Sequence, residues 1–156
     1  MNDAARQTSP SPPVAEPLRI VIADDHEATR VLVRTLVELE AMHVVGEAEN
    51  GEAAVALALE QDPDVVLLDV NMPVLDGLSA AKIIRARRPR IRVLLHTGEP
   101  LEAMVDRAAA LDLPLADKRD LHKTVEQLAW RAGTRKATEG RVQPGRALHS
   151  VLRPSS

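Results

Sequence analysis

The chain has 156 residues, 45% of them hydrophobic, and a formal net charge of −3. It contains one tryptophan and no cysteine, tyrosine or phenylalanine, which excludes disulfides and thiolate metal sites and argues against stacking surfaces for single-stranded nucleic acid. No apolar run reaches the ~18–20 residues of a membrane span and the N-terminus lacks a secretory pattern, so a cytoplasmic protein is expected.

Composition divides the chain into three parts. Residues 1–17 are rich in Pro, Ser and Ala without periodicity, which predicts a disordered arm. Residues 133–156 are basic and interrupted by Gly and Pro, which predicts a disordered tail. Residues 18–132 form the predicted folded domain, with 14 Lys and Arg against 20 Asp and Glu. An acidic domain whose tail is too short for a helix-turn-helix unit is not expected to bind DNA directly.

Apolar segments predict five strands, at residues 18–23, 43–48, 65–68, 91–96 and 113–116. The first, third and fourth are nearly continuous apolar runs, which is typical of parallel strands covered on both faces. The second is more polar, and the fifth contains Pro114, which suits an edge of a sheet.

Helical spacing of apolar residues separates and follows the strands. Examples are Leu101, Met104, Val105 and Ala108 in one segment and Ala28, Val31, Leu32, Leu36 and Leu39 in another. Asn50 is a predicted N-cap of the second helix. Five strands alternating with five helices predict an α/β fold with a doubly wound parallel sheet. The flavodoxin-like order 2-1-3-4-5 would place the two weakest strands at the edges.

Polar residues follow four of these strands. Asp24 and Asp25 end the first, Asp69 the third and Thr97 the fourth, while Lys118 follows the fifth. Because sites in open α/β sheets form at the carboxyl ends of the strands, these side chains are expected to converge.

Three carboxylates in one place are suited to Mg²⁺, which prefers hard oxygen ligands. A carboxylate beside such a metal can attack a phosphoryl group, while a hydroxyl and an ammonium neutralise the phosphoryl oxygens. The set therefore fits an aspartyl-phosphate site.

Four segments, in this order and spacing, resemble the receiver domain of two-component response regulators. They are VIADDHEATR, VVLLDVNMPVLDG, LLHTGE and LADKRDL, and the resemblance covers residues 18–132. It implies that Asp69 is the phosphoacceptor and that Asp24 and Asp25 form the acidic pair that holds Mg²⁺. The backbone carbonyl of Asn71 would be a further metal ligand.

The same resemblance implies that Thr97 is the switch hydroxyl and that Lys118 contacts the phosphoryl group. Asn71 and Glu99 match positions of the chemotaxis regulator that flank the phosphoryl group, which implies a short-lived phosphorylated state. Two positions depart from the family pattern. Leu115 stands where an aromatic residue is usual, and Arg119 follows the lysine in place of proline.

The expected function is that of a stand-alone response regulator rather than a turnover enzyme. A sensor histidine kinase or a histidine phosphotransfer protein would supply the phosphoryl group, and an unknown protein target or homodimerisation would provide the readout. Two alternatives remain open. One is a receiver-like interaction module that works without phosphorylation; the full acidic set argues against it, and the two departures argue for it. The other is an aspartyl-phosphate phosphohydrolase, for which Asn71 lacks the required acid.

The remaining residues that attract attention have ordinary explanations. None of the five histidines is spaced as a metal ligand, so they are expected to be structural or exposed. The basic run at residues 82–92 is expected to be a solvated helix end and loop. Trp130 is expected to pack at the close of the domain.

Overall fold

The computed structural model of the protein describes residues 16–132. Most of the predicted N-terminal arm and all of the predicted C-terminal tail lie outside the described residues.

One parallel five-stranded sheet organises the described part of the chain. The strand order is β2-β1-β3-β4-β5, which confirms the flavodoxin-like, doubly wound fold predicted from the sequence. The strands are β1 (Arg19–Ala23), β2 (His43–Ala48), β3 (Val65–Asp69), β4 (Arg92–Thr97) and β5 (Leu115–Asp117). All five residues of the central β3 are buried, as its continuous apolar run predicted.

Five α-helices cover the two faces of the sheet. They are α1 (Glu27–Leu39), α2 (Gly51–Gln61), α3 (Gly77–Arg87), α4 (Leu101–Ala110) and α5 (Leu121–Ala132), with a short 3₁₀ turn over Lys118–Asp120. The predicted N-cap of α2 is confirmed, since the Asn50 side chain accepts a hydrogen bond from the backbone N–H of Ala53 at 2.8 Å. Asp76 caps α3 in the same way, through the N–H of Ser79.

Alternation along the strands divides the core into two layers. Val66 and Leu68 of β3 belong to the layer that packs on α2, α3 and α4. Val65 and Leu67 belong to the opposite layer, which packs on α1 and α5. Because both faces of β3 are apolar and covered, the sheet gives a rigid support to the polar residue at its end.

The fifth strand begins later than the sequence predicted. It starts at Leu115, so Pro114 precedes the strand rather than standing within it. The carbonyl of Pro114 accepts a hydrogen bond from the N–H of Leu95 at 2.9 Å. Proline can do this because it lacks only the donor, and so it occupies the entry to an edge strand.

Helix α1 is confirmed, but its buried face differs from the apolar spacing noted in the sequence. Val33 and Val37 are its buried residues, whereas Val31, Leu32 and Leu39 are exposed. The packing role predicted for Trp130 is also wrong, because this side chain is 55% exposed on α5. Within residues 16–132, no helix combines the length and the apolar character that crossing a membrane requires.

Candidate functional site

The candidate site lies where the carboxyl ends of β1, β3, β4 and β5 meet. The register pairs Asp69, the last residue of β3, with His96 of β4. It also pairs Thr97, the last residue of β4, with Asp117 of β5. Asp24 follows β1, and its backbone N–H donates to the carbonyl of Ala48 at 3.0 Å. Strand pairing therefore brings the predicted residues to one rim of the sheet.

Three carboxylates and one imidazole cluster at this rim. One ligand atom from each of Asp24, Asp25, His26 and Asp69 lies within 4.8 Å of the others. Asp24 and Asp69 are buried, whereas the Asp25 side chain is one-third exposed. Oxygen donors at this spacing could hold a divalent cation, with Asp25 on the solvent side.

Lys118 joins the two buried carboxylates. Its Nζ donates to Oδ2 of Asp69 at 2.9 Å and lies 2.7 Å from Oδ2 of Asp24. The second contact is an ion pair without the direction of a good hydrogen bond. Burial alone would lower the pKa of Lys118, but its close contacts with both aspartates raise that pKa overall. The lysine is therefore a permanent cation at the site.

The pKa of the Asp69 carboxyl group is raised to about 6. Burial is the largest cause, and the nearby charge of Asp24 adds to it, while the hydrogen bond from Lys118 opposes it. A longer hydrogen bond of 3.3 Å reaches Oδ1 from the backbone N–H of Asn71. Asp69 is thus held in place by hydrogen bonds, and without a further cation its negative charge is destabilised by burial and by Asp24.

The loops after β3 and β4 are linked to each other. Buried Thr97 uses Oγ1 to accept the N–H of Glu99 at 3.0 Å. The side-chain amide of Asn71 donates to Oε1 of Glu99 at 2.9 Å. Asn71 and Glu99, which the sequence separately predicts to flank a phosphoryl group, therefore contact each other.

Gly77 fixes the loop between β3 and α3 against Asp69. A Cβ atom at this position would lie 2.0 Å from the backbone oxygen of Asp69, a distance that excludes any side chain. The N–H of Gly77 also donates to the carbonyl of Val70 at 2.9 Å. Helix α3 therefore begins directly on the backbone that carries the Asp69 carboxylate.

Sequence reasoning missed two histidines at the site. Nδ1 of His26 lies 2.9 Å from Asp25 and 3.3 Å from Asp24, and its backbone N–H donates to Oδ1 of Asp24 at 2.8 Å. The available signal was its place directly after the acidic pair, at the N-cap of α1.

His96 is the second missed residue, and the signal for it was its place directly before Thr97. Its side chain is fully buried, with Nε2 3.8 Å from Oδ2 of Asp24. Burial lowers the pKa of His96 to about 4, although the charge of Asp24 acts in the opposite direction. The imidazole is therefore neutral at physiological pH.

Comparison with known proteins decides the family. The response regulator receiver domain family matches residues 20–117, which is more than half of the chain. The chain belongs to this family.

Relatives of this receiver domain support the assignment. The response regulator GacA of Pseudomonas aeruginosa is 40% identical over 81 residues, which cover 51% of this chain and 38% of GacA. The curated relatives BvgA of Bordetella pertussis and GacA are thus matched over less than two-fifths of their own length. Receiver domains are signalling domains, and the segment matched in these two regulators lies within the receiver domain of this chain.

Solved structures agree with the fold. The signal receiver domain of the response regulator NarL from Mycobacterium tuberculosis is 33% identical, with a TM-score of 0.65, and covers 74% of this chain and 98% of its own. The receiver domain of AraT from Geobacillus stearothermophilus is 29% identical with the same TM-score, and covers 76% of this chain and 97% of its own.

This receiver domain differs at the two positions noted in the sequence. Leu115 is buried in the core layer beneath α4. Arg119 is exposed, and its side chain binds both carboxylate oxygens of Asp117, through Nε at 3.0 Å in each case. This arginine lowers the pKa of Asp117. The charge pair shapes the turn that carries Lys118 in place of the usual proline.

Proposed function

We propose that this receiver domain accepts a phosphoryl group on Asp69. The donor would be the phosphohistidine of a sensor kinase or of a histidine phosphotransfer protein, and Mg²⁺ would be the cofactor. The observation that carries the proposal is the position of Asp69. It is a buried carboxylate at a strand end, 2.9 Å from the ammonium of Lys118 and within one cluster of oxygen donors with Asp24 and Asp25.

The acidic cluster fits the expected metal. Asp25 and Asp69 would be direct ligands together with the backbone carbonyl of Asn71, and Asp24 would complete the acidic pair. When bound, Mg²⁺ would supply the positive charge that lets a phosphoryl group approach the carboxylates. The raised pKa of Asp69 supports this assignment, because a buried carboxylate between acidic neighbours is stabilised by a cation.

The chain's own side chains account for the transfer. A carboxylate oxygen of Asp69 attacks phosphorus, a P–O bond forms, and the P–N bond to the donor imidazole breaks with its electron pair leaving on nitrogen. Lys118 binds one phosphoryl oxygen through its ammonium. The hydroxyl of Thr97 donates to a second phosphoryl oxygen. Its hydrogen is available because Oγ1 serves as the acceptor in its bond with the N–H of Glu99.

The lifetime of the phosphorylated state would depend on Asn71 and Glu99. Their side chains meet at 2.9 Å across the two loops that flank Asp69. Both are polar and able to orient a water molecule toward phosphorus, which supports a short-lived state. A turnover phosphohydrolase is disfavoured, because the position two residues after Asp69 carries an amide that cannot protonate a leaving group.

The signal would be read by a protein contact. Phosphorylation would bias a two-state equilibrium of the surface formed by β4, α4, β5 and α5. Thr97 ends β4 and Lys118 follows β5, so movement of either side chain is transmitted to this surface. The readout would be a downstream protein target or a second copy of the chain, and direct DNA contact by the receiver is not part of the proposal.

The second candidate function is a receiver-like module that signals without phosphorylation. The observation that favours it is the pair of departures. Leu115 is a buried aliphatic residue without the ring that usually moves, and Arg119 is tied to Asp117. Both leave the phosphoryl chemistry intact, and they bear only on how far the output surface responds.

Labelling with radioactive acetyl phosphate in the presence of Mg²⁺ tests the proposal. The wild type should incorporate up to one phosphoryl group per chain, and Asp69→Asn should incorporate none, because an amide oxygen cannot attack phosphorus. Asp112→Asn makes the same chemical change at an exposed turn and should label as the wild type does. Equal labelling of the Asp69 variant would refute the assignment, and an unlabelled wild type would favour the phosphorylation-independent module.

A further inference from the structure

The phosphoryl chemistry proposed above has no use for the buried imidazole of His96. This side chain is fully buried between Leu95 and Thr97 in β4, opposite Asp69 in the ladder. Neither ring nitrogen has a hydrogen-bond partner within residues 16–132. The backbone carbonyl of Ala23 lies close enough to raise the pKa of the ring as a weak hydrogen-bond acceptor, but it forms no hydrogen bond of good geometry with either nitrogen. An unpaired buried polar group costs free energy, so an aliphatic residue would serve this position better in the resting state.

Oδ2 of Asp24 lies 3.8 Å from Nε2 of His96. Asp24 is itself fully buried. Its Oδ1 accepts the backbone N–H of His26, whereas Oδ2 is held only by the ion pair with Lys118. Oδ2 therefore has one partner in contact and a ring nitrogen just beyond hydrogen-bond distance.

Lys118 is the shared partner of the two buried carboxylates. In the resting state its ammonium lies between Oδ2 of Asp24 and Oδ2 of Asp69. A phosphoryl group on Asp69 adds charged oxygens that attract the same ammonium. As the lysine turns to them, its contact with Oδ2 of Asp24 weakens, and this oxygen has no access to solvent that could replace it. A buried carboxylate oxygen in that position requires a replacement donor.

We propose that His96 is a positioning residue, whose Nε2–H takes over Oδ2 of Asp24 when Lys118 turns to a phosphoryl group on Asp69. A shift of about 1 Å closes the present gap to hydrogen-bond distance. Because Thr97 follows directly, the same shift draws the end of β4 toward β1. The proposal rests on the proposed function for its trigger, but not for its geometry.

Three variants at position 96 test the role with beryllofluoride and Mg²⁺ as the phosphoryl mimic. His96→Leu should melt at the same or a higher temperature than the wild type without the mimic, because it removes two unpaired buried nitrogens. It should bind the mimic about tenfold more weakly, because Asp24 then has no replacement donor. His96→Gln, whose amide nitrogen lies near the position of Nε2, should restore most of the affinity. His96→Asn, whose amide lies near Nδ1, should not.

A purely structural role would give another result. The leucine variant would then lose thermal stability, and its affinity for the mimic would follow that loss without selective rescue by glutamine. Affinity of the leucine variant equal to that of the wild type would overturn the proposal.

Lys118→Met tests the geometry without any phosphoryl group. Removing the ammonium should send the Nε2–H of His96 to Asp24, giving a hydrogen-bonded ring N–H signal in ¹⁵N-detected spectra that disappears in the double variant with His96→Leu. An Nδ1–H tautomer in Lys118→Met would overturn the inference. A wild type that neither labels nor binds beryllofluoride would instead count against the proposed function, and the Lys118→Met spectra would still decide the role of His96.

Discussion

The pKa of Asp69 makes the stability of the domain depend on pH in a defined way. Burial raises this pKa from 3.8 to about 6, with Asp24 adding to the effect and Lys118 opposing it. Between these two values the folded state holds a proton that the unfolded state has released. Stability should therefore fall as the pH rises from about 4 through 6. Above about pH 6 the loss is complete. The difference of about two pKa units between the folded and unfolded states then lowers the free energy of unfolding by about 3 kcal/mol.

Asp69→Asn removes this titration while retaining an oxygen that can accept from Lys118. In the presence of chelator, the variant should exceed the wild type in melting temperature by about 10 °C at pH 7.5. The two should converge near pH 4.5, where Asp69 is protonated in the wild type. Circular dichroism melts across this range measure the difference, and saturating Mg²⁺ at pH 7.5 should return the wild type toward the variant.

Asp112→Asn is the matched control, since this carboxylate is exposed in a turn away from the cluster. Its difference from the wild type should stay small at every pH. A constant offset between wild type and Asp69→Asn from pH 4.5 to 7.5 would refute the reasoning, because it would mean that Asp69 titrates alike in the folded and unfolded states.

Three further outcomes are expected. Mg²⁺ at a hundred times its dissociation constant should stabilise the wild type by about 2.7 kcal/mol, and Asp25→Ala should lose most of that gain in melts with metal and chelator. Asn71→Arg should lengthen the half-life of the phosphorylated state several-fold in a label-decay assay, whereas Glu99→Gln, which keeps an acceptor for the Asn71 amide, should change it less. Gly77→Ala should destabilise the domain by about 2–3 kcal/mol in urea titrations, because its Cβ would meet the Asp69 carbonyl at 2.0 Å; unchanged midpoints would contradict the close approach.

The sheet was predictable because its apolar runs end on polar residues. In VVLLD and LLHT the change from apolar to polar marks the end of β3 and of β4, and parallel order then brings Asp69 and Thr97 to one rim. The contacts among the side chains at this rim could not be predicted from the sequence. The sequence does not say that one lysine reaches both Asp24 and Asp69, since that depends on the turn that Asp117 and Arg119 form.

The misjudged residues have different causes. Helix α1 carries apolar residues on most of its circumference, so spacing alone cannot select between Val31 and Val33 as the buried position. The direction from which the sheet approaches makes that choice. The position of His96 could not be predicted because it is a single polar residue in an apolar strand, and the sequence does not show that its ring lies buried beside a charged neighbour. Val74 has φ 69°, which its β-branched side chain gives no reason to expect.

The position of Trp130 has an optical consequence. It is the only tryptophan, and the chain has no tyrosine, so near-ultraviolet fluorescence comes from this one side chain. It lies near the end of α5, 55% exposed, whereas the Asp69 carboxylate lies at the rim from which α5 begins. Because Trp130 already lies largely in water, a shift of the α5 surface on phosphorylation should change the emission spectrum little, while a protein that covers α5 should shift it to the blue. The chain thereby carries its own reporter of complex formation, separate from the chemistry that triggers it.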